Sequence, residues 1–116
     1  MNVDWSRVES LADMDDPDDV EWLKEMIASL IEDLDSKCVE IKDIISKKSI
    51  KDLQSILHQI KGVAANFGLS NVQKCSSDGE LAAKSGDLDT SIKEASKIEG
   101  IWQDTKKELL VKFPAS

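Results

Sequence analysis

Tyrosine is absent from this 116-residue chain, and the remaining aromatics are Phe67, Phe113 and three tryptophans. Successive nucleic-acid bases would therefore find no stacking platform. Proline occurs only at Pro17 and Pro114, near the ends, so no proline breaks a helix in the interior. The two cysteines, Cys38 and Cys75, are too few for a disulfide framework and fit reduced, buried thiols. With a single histidine they make no four-ligand zinc set unless carboxylates join, so no metal site is expected. No apolar run approaches the roughly 18 residues of a membrane span. The first ten residues lack the apolar stretch of a signal peptide. A cytoplasmic chain with no membrane partner is the expectation. Gly-rich phosphate loops are missing too, so nothing suggests ATP binding.

Strand signals, internal repeats and Gly/Ser linkers are also absent. What is present is acid and helical periodicity. The net charge of −8 argues against nucleic acid, whose phosphates would be repelled, but tolerates a protein partner. Hydrophobic residues at 41% and charged residues at 33% describe one globular domain over 1–116.

A short helical segment, Val3 to Ala12, aligns Trp5, Val8 and Leu11 or Ala12 on one face. The acidic run Asp13 to Asp19 lacks the glycine and closing glutamate of an EF-hand and reads as helix capping instead. Asp16 suits the N-cap, Pro17 the first helical position, and Asp18 and Asp19 the positive end of the helix dipole. Val20, Leu23, Ile27, Leu30, Leu34, Cys38, Ile41 and Ile45 then recur every three or four residues. They mark one long amphipathic helix ending near Lys47 and Lys48. Trp22 lies beside this stripe and is expected to pack under the first short helix.

Ser49 with Asp52 reads as a capping box opening a second long helix. Its core stripe is Leu53, Ile56, Leu57, Ile60, Ala64 and Phe67, and Gly68 stops it. Ser70 with Gln73 reads as another capping box, for a helix turning Val72, Cys75 or Ser76, Ala82 and Ala83 inward and ending at Gly86. Asp87 or Asp89 opens the last helix, with Ile92, Ala95, Ile98, Trp102, Leu109 and Phe113 inward. The expected fold is all-α: an antiparallel up-down four-helix bundle over 16–113, covered at one end or side by a short N-terminal helix within 1–14. Such a bundle has little interior room for a substrate, so chemistry belongs on its surface.

His58, the only histidine, lies about 150° from the centre of its helix's core stripe at about 100° per residue, and so points outward. Gln54, Lys61, Gly62 and Ala65 share that side at i−4, i+3, i+4 and i+7. An exposed histidine usually has no task. Here Gly62 costs about 1 kcal/mol of helix stability relative to alanine on an outward face, which only the close approach of another molecule would require. Lys61 would stabilise an anion carried on the imidazole. A neutral imidazole is a nucleophile near pH 7.

The stretch "HQIKGVAANFGL", His58 to Leu69, resembles the signature of histidine-containing phosphotransfer (HPt) domains. That signature has histidine, then lysine and glycine at plus three and plus four, small residues, and a second glycine at plus ten. His58, Lys61, Gly62, Ala64, Ala65 and Gly68 match it. Val72 fits an apolar position, Glu80 falls where the family often has Glu or Gln on the neighbouring helix, and "AAKSGD" resembles that helix's end. Two positions depart. Val63 replaces a residue that is often small or hydroxylated. Gly79 stands where the family usually has leucine, which removes a core side chain, weakens the helix and makes a kink there an expectation.

The resemblance implies that His58 accepts a phosphoryl group from an aspartyl phosphate on a receiver domain and passes it to another receiver. It implies a phosphoryl-stabilising role for Lys61, clearance for the partner at Gly62, beside Gln54 and Ala65, and orientation of the imidazole by Glu80. The implied partners are receiver domains of a hybrid histidine kinase or a response regulator. No cofactor is expected on this chain, the Mg²⁺ belonging to the receiver, and no kinase activity. A free-standing monomer is the expectation. The competing reading is an adaptor bundle that binds a receiver or other helical partner without carrying phosphate. A dimerising kinase core fits less well, because no acidic residue follows the histidine directly and no proline lies downstream.

Overall fold

The computed structural model describes residues 2–114; Met1 and residues 115–116, the outer ends of the expected 1–116 domain, lie outside the described residues. Five helices make up the described chain: α1 (Trp5–Glu9), α2 (Pro17–Lys47), α3 (Ile50–Asn66), α4 (Ser70–Lys84) and α5 (Leu88–Lys112). No strand occurs among the described residues. None of these helices is long and apolar enough to cross a membrane.

Local chemistry sets the helix ends. Asp16 caps α2 by accepting from the Asp18 N–H, with Pro17 at the first helical position. Lys48 ends α2 in the left-handed region at φ 54°. Ser49 caps α3 by accepting from the Asp52 N–H. Gly68 and Gly86, at φ 67° and 81°, make the turns after α3 and α4. Of the two candidates for opening α5, Asp87 is the cap, accepting from the Thr90 N–H.

Two- and three-residue connections force α2 to α5 to alternate in direction. The 31 residues of α2 span about 46 Å at 1.5 Å per residue, which sets the 47 Å length of the molecule. The apolar stripes meet along the axis: Leu23, Ile27, Leu30 and Leu34 from α2, Leu53, Leu57 and Ile60 from α3, Val72 from α4, and Ile98, Trp102 and Leu109 from α5. Trp102 satisfies its indole N–H on Asp35 at 2.8 Å, and Lys106 pairs with the same carboxylate at 3.0 Å, so α5 is latched to α2. Burial would push the Asp35 carboxyl up, but the bonds from Trp102 and Lys106 and the Lys106 charge hold it below its ordinary value.

The N-terminal segment closes the end of the bundle where α2 begins and α5 finishes. Val3 and Val8 are buried, Trp5 packs on Phe113 with ring centroids 6.3 Å apart, and Lys112 sits over the Trp5 ring. The same segment reaches the α3–α4 turn. The Asp4 N–H donates to the Gly68 carbonyl at 2.7 Å, and Arg7 Nε donates to the Asn66 carbonyl at 3.0 Å.

Five sequence expectations are corrected. Ser70 makes no side-chain cap; Leu69 holds the cap position, and the Ser70 N–H donates instead to the Asn2 carbonyl at 3.1 Å. The N-terminal segment thus takes over the work of the expected capping box. The cover helix is shorter than expected, Trp5 to Glu9. Trp22 lies at the rim of that cover, 46% exposed, rather than under it. Position 79 does not break α4, which runs unbroken from Ser70 to Lys84. Leu57 Cδ1 fills the volume a side chain there would occupy, and the Ser91 hydroxyl donates to the Gly79 carbonyl at 2.9 Å. Ser76 rather than Cys75 is the fully buried residue of its turn, its hydroxyl returned to the Val72 carbonyl; Cys75 is half-buried.

Candidate functional site

His58 stands mid-way along α3 with its side chain 68% exposed. The helix stripe dictates that placement: Leu57 and Ile60 fill the core, so the residue between them turns to solvent. The ring does not hang free. Its Nδ1 lies 2.7 Å from Oε2 of Glu80, which reaches across from α4.

Glu80 is the unusual residue here. Its side chain is 4% exposed, and carboxylates are almost never buried without partners. It has three. Lys61 Nζ lies 2.5 Å from Oε1, the His58 ring sits on Oε2, and Lys84 Nζ is 3.7 Å from Oε2. Burial would push the Glu80 carboxyl up; hydrogen bonds from Lys61 and His58, with the charges of Lys61 and Lys84, outweigh this and hold it below its ordinary value. The group is therefore an ionised carboxylate at neutral pH, and a carboxylate can only accept. The network thus assigns the proton to Nδ1 of His58, which donates to Glu80. The other ring nitrogen, Nε2, is the one that Glu80 does not hold, on a side chain that is mostly exposed.

The residues beside His58 fall in two groups. Gln54, with Lys51, Ser55, Gln59, Glu80 and Lys84, lines an open recess of about 590 Å³ around the ring. Gly62 and Ala65 continue the exposed face toward the end of α3. A β-carbon added at Gly62 would meet nothing within 4 Å, so no packing inside this chain requires the glycine. Lys61 departs from the sequence expectation in one respect. It is not a free surface cation beside the ring but is held by the Glu80 carboxylate and only partly exposed.

Two features were missed in the sequence. Lys84 joins the cluster; its i,i+4 spacing from Glu80 was the available signal. The second is an apolar groove of about 230 Å³ past the end of α3, lined by Leu11, Trp22, Leu23, Met26, Asn66 and Phe67 among others. Trp22 and Met26 show at its surface. No sequence signal joins these residues, because they come from three helices.

Among the described residues no group of three or more histidine, cysteine, aspartate or glutamate side chains could hold a metal ion. The two thiols are not reactive sites. Burial, with the charges of Glu99 and Asp35, pushes Cys38 up to about 11, and burial with the Glu94 charge raises Cys75.

The family model described as the Hpt domain matches residues 20–108, which includes all four bundle helices except the ends of α2 and α5. The chain is also similar to multistep phosphorelay regulator 1 of Schizosaccharomyces pombe (strain 972 / ATCC 24843), 26% identical over 121 aligned positions that cover 93% of this chain. The chain spans 41% of that relative's length. No solved structure matches it.

Proposed function

This chain belongs to the Hpt domain family, and on that premise we propose that it is a phosphocarrier, taking a phosphoryl group from a receiver-domain aspartate onto His58 and passing it to a second receiver. One observation carries the reading: an exposed imidazole has its Nδ1 bound to a buried carboxylate, which leaves Nε2 as the outward nucleophile. An adaptor surface would have no use for a buried carboxylate aimed at one ring nitrogen. The name of the fission-yeast relative, multistep phosphorelay regulator 1, agrees with it.

In the forward step the Nε2 lone pair attacks the phosphorus of the aspartyl phosphate. The bond from phosphorus to the aspartyl oxygen breaks, and the aspartate leaves as a carboxylate. Phosphoryl transfer asks mainly for in-line positioning and charge compensation. Glu80 fixes the ring. Lys61 would compensate charge on the phosphoryl oxygens, and a Mg²⁺ held by the receiver would supply the rest of that compensation. The next receiver reverses the step. In this reading the chain has no ATP-dependent step of its own, and the phosphate originates with a separate kinase.

The receiver must bring its aspartate almost onto His58. Gly62 and Ala65 keep the helix surface low beside the ring, and Gln54 borders it on the other side. That face must stay open, so the protein works as a monomer, and in the cytoplasm where receivers reside. The partners are receivers of a hybrid kinase or a response regulator. Incubation with a receiver loaded with labelled phosphate tests this: label on His58 supports the carrier, and stable binding with no label transferred supports the adaptor instead.

A further inference from the structure

We propose that a second apolar groove, between α2 and α5, is a docking site for a basic amphipathic helix of a partner protein. The inference does not rest on the phosphocarrier reading, because the groove and the His58 recess have no lining residue in common.

The groove runs along the first half of α2 and the last turns of α5 and holds about 470 Å³. Ile27, Ala28 and Ile31 wall it from α2, and Leu110 and Phe113 from α5. Ile27 and Phe113 are buried core residues, so the groove opens onto the packed interior. Ala28 gives it depth: the position is exposed, and its side chain is a single methyl group. Beside Leu110, Val111 is 84% exposed and adds apolar surface near the mouth. Residues 21–31 of α2 run about 16 Å at 1.5 Å per residue, the length of three turns of a docked helix. An apolar groove of this shape is what an amphipathic helix fills with its apolar ridge.

The charges around the groove select the occupant. Glu21 and Glu25 stand on its α2 lip. Asp18 and Glu32 continue the same exposed stripe, three residues before Glu21 and seven after Glu25. Among the described residues, the ion pairs of α2 use Asp33, Asp35, Lys37, Lys42, Asp43 and Lys47, and leave these four carboxylates without a cation. Three lysines stand against them. Lys106 is already neutralised, its Nζ donating to both oxygens of Asp35 at 3.0 and 3.2 Å. Lys24 lines the groove, and Lys107 lies on the α5 side, four residues before Val111. Four carboxylates therefore face two uncommitted ammonium groups. A helix that seats an apolar ridge between α2 and α5 can lay lysines or arginines along the α2 lip. An acidic helix or an anionic membrane surface would be repelled by that lip and by the net charge of −8. A second copy of this chain would bring its own acidic lip. The groove is built from α2, α5 and Pro114, and the His58 recess from α3 and α4, so a partner held here leaves the His58 face free.

The test uses the whole chain, ¹⁵N-labelled, and two synthetic peptides of about four helical turns that share one leucine ridge. One peptide carries lysine on its polar face and the other glutamate. The lysine peptide should shift the amide signals of residues 21–31 and 106–113 and leave those of His58 and Lys84 in place. The glutamate peptide should shift none. Ala28→Gln places a long polar side chain in the groove at an exposed position where glutamine favours helix. It should weaken binding of the lysine peptide about tenfold or more. Glu21→Gln with Glu25→Gln should weaken it about two- to thirtyfold, the loss of two exposed ion pairs. Equal binding of the two peptides would overturn the proposal, and that comparison needs no variant to fold. Unchanged binding in Ala28→Gln would overturn it by reducing the effect to general attraction toward an acidic protein. Shifts centred on His58, or no shift at about 1 mM lysine peptide, would overturn it too. So would a dimer of the free chain whose groove signals move on dilution, which would assign the groove to a second copy. None of these results bears on whether His58 carries phosphate.

Discussion

Leu57 Cδ1 lies 2.9 Å from the point where a β-carbon on Gly79 would stand, while the next residue of each helix, His58 and Glu80, are joined at 2.7 Å. The two contacts are consecutive in register. Leu57 against the bare backbone of Gly79 sets how near α4 comes to α3, and that distance puts the Glu80 carboxylate on the imidazole. Where the family usually has leucine at this position, this chain supplies the volume from the opposite helix.

The packing pair makes a double-mutant prediction. Gly79→Leu overfills the interface and should cost about 1–3 kcal/mol, despite the better helix propensity of leucine. Leu57→Ala alone should cost about 2–5 kcal/mol. The double variant should be more stable than the sum of the two losses predicts by at least about 0.5 kcal/mol, the coupling expected of residues in contact. Urea denaturation of the four proteins measures it. Strict additivity would mean that Leu57 does not occupy the space left by Gly79.

Gly62 makes the opposite case, since nothing in this chain touches a β-carbon there. Gly62→Gln should preserve or raise stability by up to about 1 kcal/mol, because glutamine favours helix. It should also slow phosphotransfer sharply, because the new side chain stands on the docking face. Thermal melting and a transfer time course on one sample read both halves; unimpaired transfer would mean that the receiver docks elsewhere.

Lys61 carries two duties. It holds the buried Glu80 carboxylate at rest, and the proposed function gives it the second duty of compensating phosphoryl charge. Lys61→Ala should slow transfer or shorten the lifetime of phosphorylated His58. It should also cost about 1–3 kcal/mol, because a buried acceptor loses a charged donor while His58 and Lys84 remain. A variant matching the wild type in rate, lifetime and denaturation midpoint would reduce Lys61 to a surface cation.

The ionised state of Glu80 has a signature in acid. Its partners hold it below its ordinary value of 4.5, so the folded state binds its proton less readily than the unfolded chain does. Its contribution to stability is therefore complete above about pH 4.5 and is lost as pH falls through the lower folded value. Measured with His58→Gln in both proteins, so that no histidine titrates, the stability difference between the chain with Glu80 and the chain with Glu80→Gln should hold steady from neutral pH down to about 5 and then change as the Glu80 chain alone loses this contribution. The acid response of Asp35 is common to both proteins and cancels in the difference. A difference that stays constant down to about pH 3 would contradict the ion cluster.

Much of this fold was legible in the sequence because helix ends and stripes are local signals. Asp16 before Pro17, Ser49 before Asp52, and glycines at 68 and 86 each stand where the structure uses them. The outward direction of His58 followed from the positions of Leu57 and Ile60 alone. What the sequence hid depends on contacts between segments. Ser70 looks like a cap, but the backbone of Asn2 accepts its N–H first, a partner 68 residues away. Trp22 looks like core beside an apolar stripe, yet the cover helix is only five residues long and leaves it at the rim. Gly79 looks like a defect until Leu57 is seen to fill it. Lys61 and Lys84 look like separate surface charges, because only the fold brings one buried carboxylate between them.

The central claim is that His58 carries phosphate between two receivers, and a reconstituted relay tests it most directly. One receiver domain is loaded with labelled phosphate and purified from its donor, then mixed with a second, unloaded receiver. The account predicts that label reaches the second receiver only when this chain is added, through an acid-labile, base-stable species on the chain. It predicts no transfer when the chain carries His58→Gln. Label reaching the second receiver equally well with His58→Gln, or a wild-type chain that binds both receivers and never becomes labelled, would contradict it.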